Sequence, residues 1–237
     1  MSVRPPSTSD RRRPLVTLSY AQTLDGRLAT RGGSSQWIGG PESLVFAHTL
    51  RAQHDAIMIG VNTVLIDNPR LTVRHVAGRN PLRVVVDSAL RTPLTAAVLA
   101  DGAATGTLIA VTSRAPADRI RAMQQLGARV LLLPADDEKH VDLRALLAAL
   151  HDHGIATLMV EGGAALLTAL LRARLADRLA VCVAPKILGS GIEAVGELGI
   201  TSLPEALRLV DMSTRQYGAD LVISGDLRYP AAEVAHG

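Results

Sequence analysis

The chain has 237 residues, a hydrophobic share of 48% and a formal net charge of +3 from 25 basic and 22 acidic side chains; a chain of this length can bury roughly 70% of its unfolded surface without a metal or a disulfide. The lone cysteine, Cys182, excludes an internal disulfide framework and any multi-cysteine zinc or iron–sulfur site. Aromatics at 2% leave almost none of the stacking platforms that single-strand nucleic-acid binders use, while a small basic excess suits small anionic ligands, since one or two placed arginines hold a phosphate.

Residues 1–13 carry Pro5, Pro6, Ser7, Ser9 and the run Arg11-Arg12-Arg13 with no apolar segment, so they read as a flexible basic tail and not as a secretory signal. No stretch approaches the ~20 apolar residues of a membrane span; runs such as Leu131-Leu132-Leu133 break within a few residues. The expectation is a cytoplasmic protein with no membrane and no nucleic-acid partner. A β-branched run at 15–20 opens the ordered part. A helix is predicted over 41–53, where Leu44, Val45, Ala47, His48 and Leu50 recur at near-helical spacing behind Pro41, a first-turn proline. Strands follow at 56–59, 82–87 and 107–112. A helix at 116–126 stops at Gly127, a strand covers 129–133, and a helix at 143–150 lies between an N-cap at Asp142 and a terminator at Gly154. The strand 157–160 leads into a helix at 164–172, and Cys182 fills a buried strand at 178–184. Segments 206–211 and 221–227 flank Tyr217-Gly218-Ala219-Asp220 as a closing antiparallel hairpin. Residues 100–106 read as a surface loop. Alternating strands and helices predict an α/β fold, a mainly parallel central sheet flanked by helices on both faces. With no internal repeat and no Gly, Ser or Pro linker, residues 14–229 are expected to form one domain and 230–237 a C-terminal tail.

Three segments could carry chemistry. In the first, a strand ends at Glu161 and passes through Gly162-Gly163 into an apolar helix; glycines let a ligand approach the backbone, and the free N–H groups and positive dipole end of a helix start favour a phosphate. The same residues also suit a bare tight turn with Glu161 as helix cap. In the second, Gly60-Val-Asn-Thr-Val64 runs on to Asp67 and Arg74, where Gly60 would permit a sharp turn and Thr63 lies near a helix start; Asp67-Asn68-Pro69 also reads as ordinary turn chemistry and Arg74 as a solvated side chain. The third pairs Asp25-Gly26, a turn signal, with Ser35-Gln36-Trp37; the only tryptophan faces either the core or a ligand. Absences narrow the field. There is no G-x-G-x-x-G after the first strand, no G-x-x-x-x-G-K-[ST], no zinc deaminase signature and no H-E-x-x-H, so no metal site is expected. His151 and His153, near a helix end, read as exposed.

Taken in order, Thr23-Leu-Asp-Gly-Arg-Leu-Ala29, Ser35-Gln-Trp-Ile38, Leu50-Arg-Ala52, Gly60-Val-Asn-Thr-Val64, Asp67-Asn-Pro-Arg-Leu-Thr-Val-Arg74, the segment 81–88, Glu161-Gly-Gly163 and Ala184-Pro-Lys-Ile-Leu-Gly189 resemble the riboflavin-pathway pyrimidine reductase family over residues 14 to about 228. The resemblance implies a dihydrofolate-reductase-like fold, NADPH as hydride donor, a phosphorylated pyrimidine substrate and a homodimer. The implied reaction reduces the phosphoribosylamino side chain of a diaminopyrimidinone or an aminouracil to the ribitylamino form, with hydride reaching the ribose C1 after the sugar opens to an imine. Positioning would dominate such chemistry.

By motif match the resemblance assigns Ala21, Trp37, Thr63, Asp67, Ser88, Gly162, Gly163, Ala164, Ala165 and Leu166 to the cofactor, and Ser35, Arg51, Leu71, Arg74 and Glu161 to the substrate. Arg51 and Arg74 suit the ribose 5-phosphate because a guanidinium fork matches phosphate oxygens. Glu161 would hold pyrimidine N–H donors, and Asp67 would orient the imine or relay its proton. Ser19 stands where two-domain members of the family commonly carry a lysine, so no proton role of that lysine carries over. The 237 residues hold no deaminase signature, and the expectation is therefore a chain similar to the freestanding archaeal and fungal enzymes, which places the diaminopyrimidinone ahead of the aminouracil. Ser113 and Arg114 could receive a 2′-phosphate, or equally be a helix cap and a solvated arginine. Other readings are a reductase of another pterin or pyrimidine, and a nucleotide-binding module without turnover.

Overall fold

The computed structural model describes residues 12–36 and 38–230. Most of the expected N-terminal tail, the expected C-terminal tail beyond Pro230, and Trp37 lie outside the described residues. Arg13, assigned to the tail, is anchored: its guanidinium makes a two-pronged contact with Asp177 at 2.6 and 2.8 Å.

In chain order the elements are β1 (Leu15–Thr23), β2 (Arg27–Thr30), α1 (Pro41–Gln53), β3 (Ala56–Gly60), α2 (Val61–Asp67), β4 (Leu82–Val86), β5 (Thr107–Val111), α3 (Ala117–Gln125), β6 (Arg129–Leu132), α4 (Leu143–Asp152), β7 (Thr157–Glu161), α5 (Ala164–Arg172), β8 (Arg178–Ala184), β9 (Gly191–Glu193), β10 (Arg208–Tyr217) and β11 (Asp220–Arg228). Nine strands form one sheet in the order β10-β11-β8-β1-β7-β3-β4-β5-β6, and β2 pairs with β9 separately. From β8 to β6 every pairing is parallel, whereas β8–β11 and β11–β10 are antiparallel. This is the α/β architecture expected, with the antiparallel pair as its flank.

Alternation along the central strands explains why the sheet needs cover on both faces. Met58, Val84, Leu108, Leu158 and Val160 point into a cluster closed by Leu146, Leu147 and Leu150 of α4 and Leu166, Leu167 and Leu170 of α5. Their neighbours Ile57, Ile59, Val85, Ile109 and Met159 point the other way, against Val61 and Val64 of α2 and Met123 of α3. Side chains two apart share a face, so near-continuous apolar strands are the sequence mark of a sheet buried on both sides. The helix ends follow local rules. Asp142 caps α4 by accepting from the Arg144 and Ala145 amides, and Gly154 stops it at φ +80°.

Several boundaries differ from the sequence reading. The closing hairpin is longer: β10 runs through 212–216, largely exposed, with a register shift between Val210 and Ser213 and a tight Gly218-Ala219 turn. Helix α2 and the pair β2–β9 carry too few residues to show a period. Gly60 does not turn the chain sharply; its φ of −82° is open to any residue, and a Cβ there would meet the Leu166 Cβ at 4.0 Å, an ordinary contact.

Candidate active site

The carboxyl ends of β8, β1, β7, β3, β4 and β5 lie side by side. At about 4.8 Å per strand they define a trough roughly 24 Å long. Along it opens a cleft of about 1370 Å³, more than the ~300–1,000 Å³ of a site for one drug-sized molecule, and therefore room for a dinucleotide beside a second ligand.

At the β7 end the backbone forms the wall. Gly162 and Gly163 take φ of +66° and +83°, a region that costs an L side chain about 1–2 kcal/mol, and a Cβ on Gly163 would stand 3.1 Å from Thr63 Oγ1. Helix α5 then starts with no side-chain cap and no acidic residue in its first turn, leaving its first amides to an outside acceptor. Glu161 does not cap this helix. Its carboxylate is gripped by Arg51, whose Nε donates to Oε2 at 2.9 Å and whose second terminal nitrogen donates to Oε1 at 2.6 Å. The fork neutralises the one acidic group beside the helix start, so an anion there meets no free negative charge from it.

Thr63, Asp67, Ser35, Ala21, Ser88, Glu161 and the run Gly162, Gly163, Ala164, Ala165, Leu166 all line the cleft, whereas Arg51, Leu71 and Arg74 do not. Asp67 Oδ1 accepts from the Ser35 hydroxyl at 3.1 Å, joining the β2–α1 loop to the end of α2. Asn68 supplies the expected turn chemistry: at φ +41° it ends α2, and its side chain accepts the Ala97 amide at 2.7 Å. Leu71 is 2% exposed in the core at φ +53°, a strained conformation for a bulky residue. Arg74 is exposed and its guanidinium donates to the Thr72 hydroxyl at 2.7 Å. Arg51, 7% exposed, has no free edge: besides Glu161 it donates to the Thr72 carbonyl at 3.1 Å. Arg114 lines the far end of the cleft and donates to the Lys139 carbonyl at 3.4 Å; Ser113 does not cap α3, whose N-cap is Pro116.

Other residues shape the site. Asp25 sits in the expected turn but outside the cleft; the Thr23 hydroxyl holds its carboxyl down to about 2, burial opposes, and the Leu188 and Gly189 amides lower it further. It latches the β1–β2 turn to the loop after β8. Asp220, 3% exposed, accepts from Ser43 Oγ and the Gly40 amide, both at 2.6 Å, and so fixes the cleft-lining segment Gly39-Gly40. His48 is fully buried three residues before Arg51. The i, i+3 spacing that puts both on one helix face was the signal available for it; Asp220 gave none, because its partners lie some 180 residues away. Among the described residues no group of three or more His, Cys, Asp or Glu could hold a metal, and no helix is long and apolar enough to cross a membrane.

A family model described as RibD C-terminal domain matches residues 14–223. The chain is 44% identical over 217 residues to the 2,5-diamino-6-ribosylamino-4(3H)-pyrimidinone 5′-phosphate reductase of Methanothermobacter thermautotrophicus, covering 89% of this chain and 97% of that protein. It is 42% identical over 212 residues to the riboflavin biosynthesis protein RibD of Aquifex aeolicus, covering 89% of this chain but only 57% of the relative. Among solved structures, the Saccharomyces cerevisiae riboflavin biosynthesis reductase Rib7 superposes with a TM-score of 0.72 at 29% identity, over 94% of this chain and 93% of that one. Acinetobacter baumannii RibD gives 0.79 at 26%, over 92% and 59%.

Proposed function

This chain belongs to the RibD C-terminal domain family, and from that membership we propose that it is an NADPH-dependent reductase of riboflavin biosynthesis. Its substrate would be 2,5-diamino-6-ribosylamino-4(3H)-pyrimidinone 5′-phosphate, named for the relative it matches over 97% of that protein's length, ahead of the aminouracil. The observation that carries the reading is the pair of left-handed glycines running into an uncapped α5 on the cleft that Glu161 and Asp67 also line.

The residues fit a dinucleotide. Gly162, Gly163 and the amides of Ala164, Ala165 and Leu166 would take the diphosphate, with Thr63 and Ser88 along the same edge and Ala21 toward the nicotinamide; Trp37 completes the assigned set. Bound there, the cofactor would supply the hydride. The protein's own part is to hold and orient. Glu161, kept in place by Arg51, would accept from pyrimidine N–H donors, and Arg74, exposed and held by the Thr72 hydroxyl, would exchange that contact for the sugar phosphate. Arg51, assigned to the substrate by sequence, would act on it through Glu161, and Leu71 through the backbone bend that presents Thr72 to Arg74. Ser35 and Asp67, hydrogen-bonded to each other, would face the opened sugar, with Asp67 orienting the imine or passing it a proton. Selection of NADPH over NADH would fall to Arg114, diluted by Asp136, Asp137 and Glu138 at the same end. A homodimer belongs to the same reading, and sedimentation tests it.

Loss of reduced-nicotinamide absorbance, with NADPH or NADH against each pyrimidine, tests the proposal. Oxidation of NADPH that depends on the diaminopyrimidinone supports it; no oxidation with either pyrimidine refutes it.

A further inference from the structure

Among the buried titratable groups that the reaction as derived leaves unused, His48 lies nearest the Arg51–Glu161 pair. His48 is 0% exposed on the buried face of α1. Its Nδ1 accepts the backbone N–H of Arg74 at 2.9 Å, and its ring meets His75 edge-on at a centroid distance of 4.5 Å. A nitrogen that faces a donor carries its lone pair, so the neutral ring bears its proton on Nε2. Nε2 then stands 3.4 Å from an Arg51 terminal nitrogen, donor against donor, and that nitrogen gives one of its two hydrogens to the Thr72 carbonyl. The charged and titratable groups facing the ring are all basic: Arg51 from α1, Arg74 and His75 from the loop. Burial first, then these three, press its pKa down to about 4, so at neutral pH it remains an uncharged acceptor.

The segment between α2 and β4 contains no helix or strand. Two side chains one helical turn apart on α1 fasten it: Arg51 at the Thr72 carbonyl and His48 at the Arg74 amide. Arg51 also grips Glu161. We infer that His48 is a positioning residue, holding the Arg74 backbone at a fixed place relative to the Arg51–Glu161 pair and so matching the spacing between phosphate and pyrimidine ring. The inference rests on the assignment of Arg74 to the phosphate made above.

The test compares wild type, His48→Leu and His48→Asn on the phosphorylated substrate and on its dephosphorylated counterpart. Loss of one placed contact to a charged group corresponds to about tenfold in affinity. His48→Leu is expected to raise KM for the phosphorylated substrate about tenfold, to leave kcat and the KM for NADPH nearly unmoved, and to change little on the dephosphorylated substrate. His48→Asn, whose Oδ1 takes the place of Nδ1, recovers most of that loss. Equal losses on both substrates, a parallel rise in the KM for NADPH, or Leu and Asn variants that behave alike would overturn the inference. Should His48→Leu not fold, His48→Gln, whose amide oxygen reaches past the Nδ1 position, replaces it in the same comparison. A wild-type enzyme inert on both substrates removes the reductase reading and the inference together, whereas an active wild type with indifferent variants removes the inference alone.

Discussion

At the β7–α5 turn the cleft wall is backbone, two glycines and the first amides of a helix, and the side chains there are small or apolar. From Arg51 to Arg74 the neighbouring region is held by polar side chains: Arg51 grips the Glu161 carboxylate and the Thr72 carbonyl, and the neutral His48 accepts the Arg74 amide. Backbone recognition fails when atoms are added, since space and φ are what it offers. A side-chain network fails when atoms are removed, since each member leaves a partner unsatisfied.

Arg51→Met gives the largest expected effect. It strands the Glu161 carboxylate, 23% exposed, and should cost about 3 kcal/mol in urea denaturation, together with pyrimidine binding; Arg51→Lys should rescue little, because one ammonium cannot span both oxygens. Next comes Gly163→Ala. Left-handed strain of about 1–2 kcal/mol adds to the 3.1 Å approach of Thr63, so NADPH titration should show about tenfold weaker binding. Gly162→Ala, with nothing within 4 Å of its Cβ, should lose less; equal losses would show that space plays no part. Arg74→Ala should raise KM for the phosphorylated pyrimidine about tenfold while the melting temperature and NADPH affinity stay put, and normal constants would remove it from the site.

The network also predicts a pH signature. His48 titrates near 6.5 when unfolded and at about 4 when folded, so between those values the unfolded chain binds more protons and stability falls as pH falls. The fall starts below about 6.5 and is complete near 4; it should be shallower in His48→Asn when melting is followed across that window. Smallest is Arg114→Gln. As an exposed contact on a phosphate it is worth under about 1 kcal/mol, so the NADPH-to-NADH ratio of kcat/KM should drop only a few-fold.

The backbone region was legible in the sequence because glycines, a strand and an apolar helix leave local marks. Helices 41–53 and 164–172 coincide with α1 and α5 for the same reason: Pro41 and the glycine pair punctuate them. The network was legible only as a set of residues. That Arg51 faces Glu161 rather than solvent depends on a contact between positions 110 apart, and no local rule contains it. His48 was hidden because burial among basic neighbours makes it an acceptor, while its i, i+3 spacing from Arg51 says only that the two share a helix face. Helix α2, seven residues long, and β9, three, fell below the length at which periodicity speaks.

Strand β1 lies between β7 and β8, whose sequences come about 140 and about 160 residues later. During synthesis the ribosome therefore releases the first strand long before either neighbour exists. The run from β3 to β6 can zip together from nearby pairings, but Ser19 meets Glu161 only when the sheet is threaded shut. Such distant closures slow folding, and catalytic competence should emerge in the last kinetic phase of refolding, after most secondary structure has returned.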